Sequence, residues 1–246
     1  MKVSLLSRRV LHAMLLAGCM LAGQAQASIV ITGTRVIYPS DQREVTVKLS
    51  NDGQSPMLVQ SWIDEGNVQA TPDASDAPFL LTPPIARIDP AKGQALRVRY
   101  TGQKSLAQDK ESLFWLNVLE VPPSSDDGQN RLKVAFRSRI KMFYRPASLA
   151  GNATAAAEQL QWRLQGSVLE GFNASPYYVS LGKVSLSSGG QSRDVELDIN
   201  SSLIAPGEHK QLPIKGAALN ANGGKVSYSA INDFGGIAEY SQALKP

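Results

Sequence analysis

Cysteine and histidine are almost missing from this sequence: its 246 residues hold one cysteine, Cys19, and two histidines, His12 and His209. A disulfide framework needs paired thiols, zinc sites draw on Cys and His ligands, and a nucleophilic triad needs a histidine base. Beyond the first 27 residues only His209, beside Pro206-Gly207, is left to serve a hydrolase. Glycine-rich phosphate loops and metal-ligand clusters are missing as well, so no cofactor and no enzymatic activity are expected. No apolar run reaches the roughly 18 residues that span a bilayer, so stable membrane insertion is not expected either.

The first 27 residues read as an export signal. Lys2, Arg8 and Arg9 form a positive start, an apolar run from Val10 to Leu21 follows, and Ala25-Gln26-Ala27 supplies the small-x-small pattern of a cleavage site. Leu16-Ala17-Gly18-Cys19 also matches the pattern for cleavage and acylation on cysteine. That cut would leave a polar stub before Ile29-Val30-Ile31, so Ser28 is the expected mature start. The 25 basic residues less the three in the signal stand against 21 acidic ones, leaving a nearly neutral mature chain. Nucleic-acid binders carry a clear basic excess, and this chain does not.

Short alternating segments fill the rest. Val45, Val47 and Leu49 alternate with Thr46 and Lys48; Leu96, Val98 and Tyr100 with Arg97 and Arg99; Val195, Leu197 and Ile199 with Glu196 and Asp198. Period two predicts half-buried strands, and the turn-rich stretches between them, such as Asn51-Asp52-Gly53 and Asn222-Gly223-Gly224, suit antiparallel sandwiches. The one helix-flavoured stretch is Asn152 to Leu160. Tyr144-Arg145-Pro146 ends a strand with a proline ahead of small residues. The expected organisation is all-β: a signal at 1–27, an immunoglobulin-like domain at 28–147, a linker at 148–157 and a second immunoglobulin-like domain at 158–246. Trp62, Trp115 and Trp162 are expected in the cores.

Between Arg131 and Arg145 the chain carries six cations, no anion, and the large apolar residues Leu132, Val134 and Phe136 at two-residue spacing. Spacing of two places that trio on one face. Either the face packs inside its own domain, or an edge strand offers it to a partner while its cations discourage self-pairing. Periodicity alone leaves both open. Lys141 differs in parity from the trio, which puts it on the opposite face unless a bulge intervenes.

Several separated motifs then carry a resemblance. Gly33-Thr34-Arg35-Val36-Ile37-Tyr38-Pro39, Gln60-Ser61-Trp62-Ile63, Thr82-Pro83-Pro84, Gln108-Asp109-Lys110-Glu111-Ser112-Leu113-Phe114-Trp115-Leu116-Asn117, Arg139 to Pro146, Ser175-Pro176-Tyr177-Tyr178 and Ile231-Asn232-Asp233-Phe234-Gly235-Gly236 occur in the order found in periplasmic pilus-assembly chaperones of the chaperone/usher pathway. The chain resembles that family over nearly all of its mature length. The resemblance implies two immunoglobulin-like sandwiches arranged as a boomerang with an interdomain cleft. It implies that Arg35 and Lys141 anchor a subunit's C-terminal carboxylate, that Leu132, Val134 and Phe136 form the donor strand, and that Glu111, Arg145 and Asp233 form an interdomain charge network. The implied partners are pilus subunits and an outer-membrane usher, in the periplasm, with self-association possible in the free protein. The short cysteine-free loop from Pro122 to Asn130 looks like the short-loop branch, and Ala107 stands where many relatives have proline. The alternative is a secreted immunoglobulin-like adhesin or fimbrial structural subunit, which would have no use for Arg35 and Lys141 together.

Overall fold

The computed structural model describes residues 28–123, 133–198, 201–214 and 223–244. Leu132, the segment before Ser28 with Cys19, and residues 124–130 of the loop that starts at Pro122 lie outside the described residues.

The first sandwich is built from β1 (Ile29–Ile31), β2 (Arg35–Pro39), β3 (Val45–Asn51), β4 (Met57–Asp64), β5 (Phe79–Thr82), β6 (Ile85–Ile88), β7 (Gly93–Tyr100), β8 (Ser112–Val121) and β9 (Phe136–Arg145). One sheet runs β1-β3-β7-β5 and the other β2-β9-β8-β4-β6. Alternation becomes burial directly: Val47 and Leu49 are buried in β3 while Thr46 and Lys48 are exposed, and in β7 Leu96 and Val98 are buried while Ala95, Arg97 and Arg99 are exposed. These side chains meet Phe114, Leu116, Met142 and Tyr144 from the facing sheet, which closes the core.

One switch positions the functional site. The chain leaves β1, which pairs with β3, and re-enters the opposite sheet as β2, which pairs in parallel with β9. Gly33 lies in the crossing at φ +97°, a conformation that disfavours any side chain. The parallel register sets Arg35 opposite Lys141 and ends with Pro39 opposite Arg145. Because β2 reaches only the Lys141–Arg145 half, Phe136–Ile140 is bonded to β8 alone among the described residues.

The second sandwich starts with helix α1 (Ala153–Glu158), capped by Asn152, whose Oδ1 accepts from Ala155 N at 2.8 Å. Ala156 and Ala157 are buried in this sandwich's core. Strands β10 (Gln161–Gln165), β11 (Val168–Phe172), β12 (Val179–Ser188), β13 (Gln191–Val195), β14 (Leu203–Ile204), β15 (His209–Pro213), β16 (Lys225–Ile231) and β17 (Ile237–Ala243) follow. A three-stranded sheet β10-β11-β15 faces β13-β12-β16-β17, with β14 on β12.

Two sequence expectations are corrected here. The strand expected to run on through Leu197 stops at Val195, and Ile199 lies outside the described residues. Its partner β12 pairs with it only back to Val184, then shifts register around Gly182 and turns to β14. Glycine suits that bulge, since a Cβ on Gly182 would lie 2.8 Å from Ser229 Oγ. Trp115, expected in the core, lies half-buried on the outer face of its sheet, and Trp62, though buried, is on that same outer face.

Candidate functional site

Strict pleating decides the parity question. The β8–β9 register runs without a shift from Glu120↔Phe136 to Ser112↔Tyr144. Met142 and Tyr144 face the core, with Ile140 packed against it, and Phe136 continues this stripe beyond the point where the domain covers it. Phe136 is 61% exposed and Val134 47%. Arg137, Arg139, Lys141 and Phe143 project from the other face.

On that outer face Arg35 and Lys141 stand side by side. Arg35 Nη1 donates to the Ile231 carbonyl at 2.9 Å and to Ser180 Oγ at 3.4 Å, both in the second sandwich. Arg35 Nε is buried with no hydrogen-bond partner among the described residues. Lys141 Nζ lies 5.5 Å from the centre of the Trp115 ring. Burial, and then repulsion from Arg35, push the Lys141 ammonium below its usual pKa. Burial lowers Arg35 too, partly offset by attraction to Asp233 and Glu111. Among the described residues no carboxylate forms an ion pair with either cation. Two desolvated positive charges with an unused donor between strand and cleft have the charge and the donors that an anion with two oxygens would need.

Behind this pair the two domains are joined by charge. Arg145 Nε donates to Glu111 Oε1 at 2.6 Å, while Nη1 and Nη2 donate to Asp233 Oδ2 and Oδ1 at 2.7 and 2.9 Å. Glu111 Oε2 accepts from Tyr178 N at 2.7 Å. Burial opposes the charge on Arg145, but the two carboxylates outweigh it and raise its pKa. The Phe143 and Tyr178 rings meet across the boundary with centroids 5.5 Å apart, and Gly235, at φ +82°, sits so close beneath Thr34 that a Cβ would fall 2.7 Å from Oγ1.

Residues 28–150 match the family described as "Pili and flagellar-assembly chaperone, PapD N-terminal domain", and residues 155–242 match "Pili assembly chaperone PapD, C-terminal domain". The chain belongs to the PapD family of pilus-assembly chaperones. It is 46% identical over 230 residues to the chaperone protein FimB/FhaD of Bordetella pertussis, covering 91% of each chain. The crystal structure of the YadV chaperone aligns with a TM-score of 0.77 at 44% identity, over 89% of this chain and all of that one. The SafB chaperone of Salmonella enterica, solved in complex with the SafA pilin, gives a TM-score of 0.74 at 28% identity, over 90% of this chain and 99% of the matched one. PapD-family proteins are chaperones, so the chain is not an enzyme, and its membership sets the adhesin alternative aside.

Sequence reasoning passed over Asp64, Asn117, Arg137 and Arg139 in this PapD-type sheet. The signal was available as parity: Arg137, Arg139 and Lys141 step by two along β9, Trp62 and Asp64 along β4, and Trp115 and Asn117 along β8. Trp115 and Arg139 also line an open groove of about 370 Å³ whose far wall includes Leu203, Ala205, Glu208 and Lys210 of the second domain.

The Arg145 bridge yields a test. Arg145→Met leaves the buried Glu111 carboxylate without its cation, which costs about 3 kcal/mol or more. The expected result is a thermal midpoint lower by several degrees and a larger radius of gyration by small-angle scattering, with β-sheet content retained. An unchanged scattering profile would show that the bridge does not set the domain angle.

Proposed function

We propose that this chaperone captures pilus subunits in the periplasm by lending them the free half of β9. A subunit's C-terminal carboxylate docks on Arg35 and Lys141, Val134 and Phe136 together with Leu132 enter a groove in the subunit, and the complex is delivered to an outer-membrane usher. One observation carries the reading: a strand half that among the described residues is paired on one side only, with an uncovered apolar stripe, ends at two partly buried cations without a carboxylate partner there. Adding a strand to an open sheet supplies backbone hydrogen bonds, and the alternating side chains supply selectivity. Each apolar donor side chain contributes about 1.5–3 kcal/mol on burial, before association costs. The signal-like first 27 residues support export, and the pilin bound to the related SafB supports a subunit as partner. Usher delivery rests on family membership. The same free edge would suit a second copy of the chaperone when no subunit is present.

The test is a pull-down of the tagged protein from periplasmic extract with identification of what co-elutes. Pilus subunits are the expected product; their absence, with usher and subunits both expressed, would contradict the reading.

A pH dependence follows from Lys141. A bound carboxylate favours the protonated ammonium, so the pKa of Lys141 is higher in the complex than in the free protein, where it is lowered below 10.5. Affinity is therefore full below the free-protein pKa and lost as pH rises through the interval between the two. Lys141→Arg keeps its charge and should bind with a much flatter alkaline profile, measured by titration of subunit binding against pH. Identical profiles would remove Lys141 from the anchor.

A further inference from the structure

The half of β9 to be lent has β8 on one side only, and a strand without a second neighbour opens more readily than one paired on both sides. Its outer face, however, is firmly held. Arg139 Nη2 donates to Asp64 Oδ1 at 2.6 Å and Nε to Oδ2 at 3.3 Å, and the Asp64 side chain is 2% exposed. Asn117 Nδ2 donates to Asp64 Oδ2 at 2.7 Å, and its Oδ1 accepts from Arg137 Nε and Nη2 at 2.9 and 2.6 Å. Arg137 Nη1 reaches on to the Val68 carbonyl at 2.8 Å, while Gly66 N donates to Asp64 Oδ1 at 2.7 Å. The Arg137 and Arg139 guanidinium carbons lie 4.8 and 4.2 Å from the centres of the Trp62 and Trp115 rings. Burial favours the neutral acid at Asp64, yet the hydrogen bonds and charge of Arg139, with those of Asn117 and Gly66, hold its pKa below the usual carboxylate value.

The contacts that Arg137 and Arg139 make all grip the strand from the face that does not carry Val134 and Phe136, so holding the strand and lending it do not compete. We propose that Asp64 and Asn117, acting through Arg139 and Arg137, are positioning residues that keep the free half of β9 extended and in register before a subunit arrives. This inference rests on the strand-donation reading and adds to it a division of labour between the faces of one strand. A binding site that is ordered only part of the time loses apparent affinity in proportion to the ordered fraction. Once a subunit strand lies alongside, it supplies the missing hydrogen bonds itself. The clamp should therefore govern the rate of capture and leave the rate of release nearly untouched.

The double variant Asp64→Asn/Arg139→Gln exchanges both charges for amides, so that neither partner is left as a lone buried ion. Amide hydrogen exchange on the free protein is expected to accelerate about tenfold or more at the β8-bonded amides of Phe136–Ile140, with Lys141–Arg145 unchanged. Binding of a purified pilus subunit recovered in the pull-down should show an association rate lower by a similar factor and a dissociation rate altered less than about twofold. Arg137→Gln, a milder change on a partly exposed side chain, should give the same pattern at smaller amplitude and serves if the double variant does not fold. Uniform acceleration throughout β8 and β9, unchanged exchange at Phe136–Ile140, or a loss confined to the dissociation rate would each overturn the clamp. A wild-type chain that retrieves no subunit would contradict strand donation instead, and the exchange data on the free protein would still decide whether the clamp exists.

Discussion

Lys141→Ala is expected to leave a folded, soluble protein that no longer retrieves pilus subunits. The ammonium donates no hydrogen bond to the described residues, and its neighbour of like charge is Arg35. Removing it relieves repulsion in a partly desolvated site, so the thermal midpoint should stay level or rise slightly. The bound complex, in contrast, loses one of two cations from a carboxylate taken out of water. Truncating one partner of such a pair costs about 2–5 kcal/mol, or roughly thirtyfold to several thousandfold in affinity. Arg35→Ala should give the same loss of binding together with a small loss of stability, because Arg35 also bonds the Ile231 carbonyl across the domain boundary. Subunit retained at wild-type affinity by the double variant Arg35→Ala/Lys141→Ala, measured by protection from proteolysis and by titration, would remove both residues from the anchor.

Phe136→Asp is the second large effect. In the free protein the side chain is mostly exposed and packs no core, so the substitution should be nearly neutral for folding. In the complex it would replace a buried ring with an unpaired carboxylate. The lost ring contributes about 1.5–3 kcal/mol, and burying the charge adds several kcal/mol more, so affinity should fall by about a thousandfold or beyond. Phe136→Leu keeps the apolar character and should cost no more than about tenfold. Equal affinity for the Asp and Leu variants would mean that this face stays in solvent when a subunit binds.

Much of the fold was legible because its elements obey local rules. The alternation at Val45–Leu49 and Leu96–Tyr100 emerges as buried and exposed positions of β3 and β7, and Asn152 opens the short helix in an otherwise β chain. Non-local choices were not legible. Where β13 ends is set by how far its partner β12 runs beside it, and the outward position of Trp115 depends on which sheet face is cleft and which is core. The pair Arg35 and Lys141 shows the same divide. Each cation could be singled out by resemblance, but their adjacency depends on a parallel pairing between distant strands, created by the crossing at Gly33. Parity along β9 was readable from the sequence, whereas the partners that Arg137 and Arg139 meet on β4 and β8 required the sheet order.

The free edge of β9 is the feature on which strand donation depends. Its decisive measurement is residue-resolved hydrogen exchange of the chaperone alone and in complex with a pilus subunit. Amides of Phe136–Ile140 that do not donate to β8 should exchange rapidly in the free protein and become strongly protected in the complex, as they would on gaining a second strand neighbour. Equally rapid exchange in both states, with the subunit firmly bound, would show that the subunit is held elsewhere.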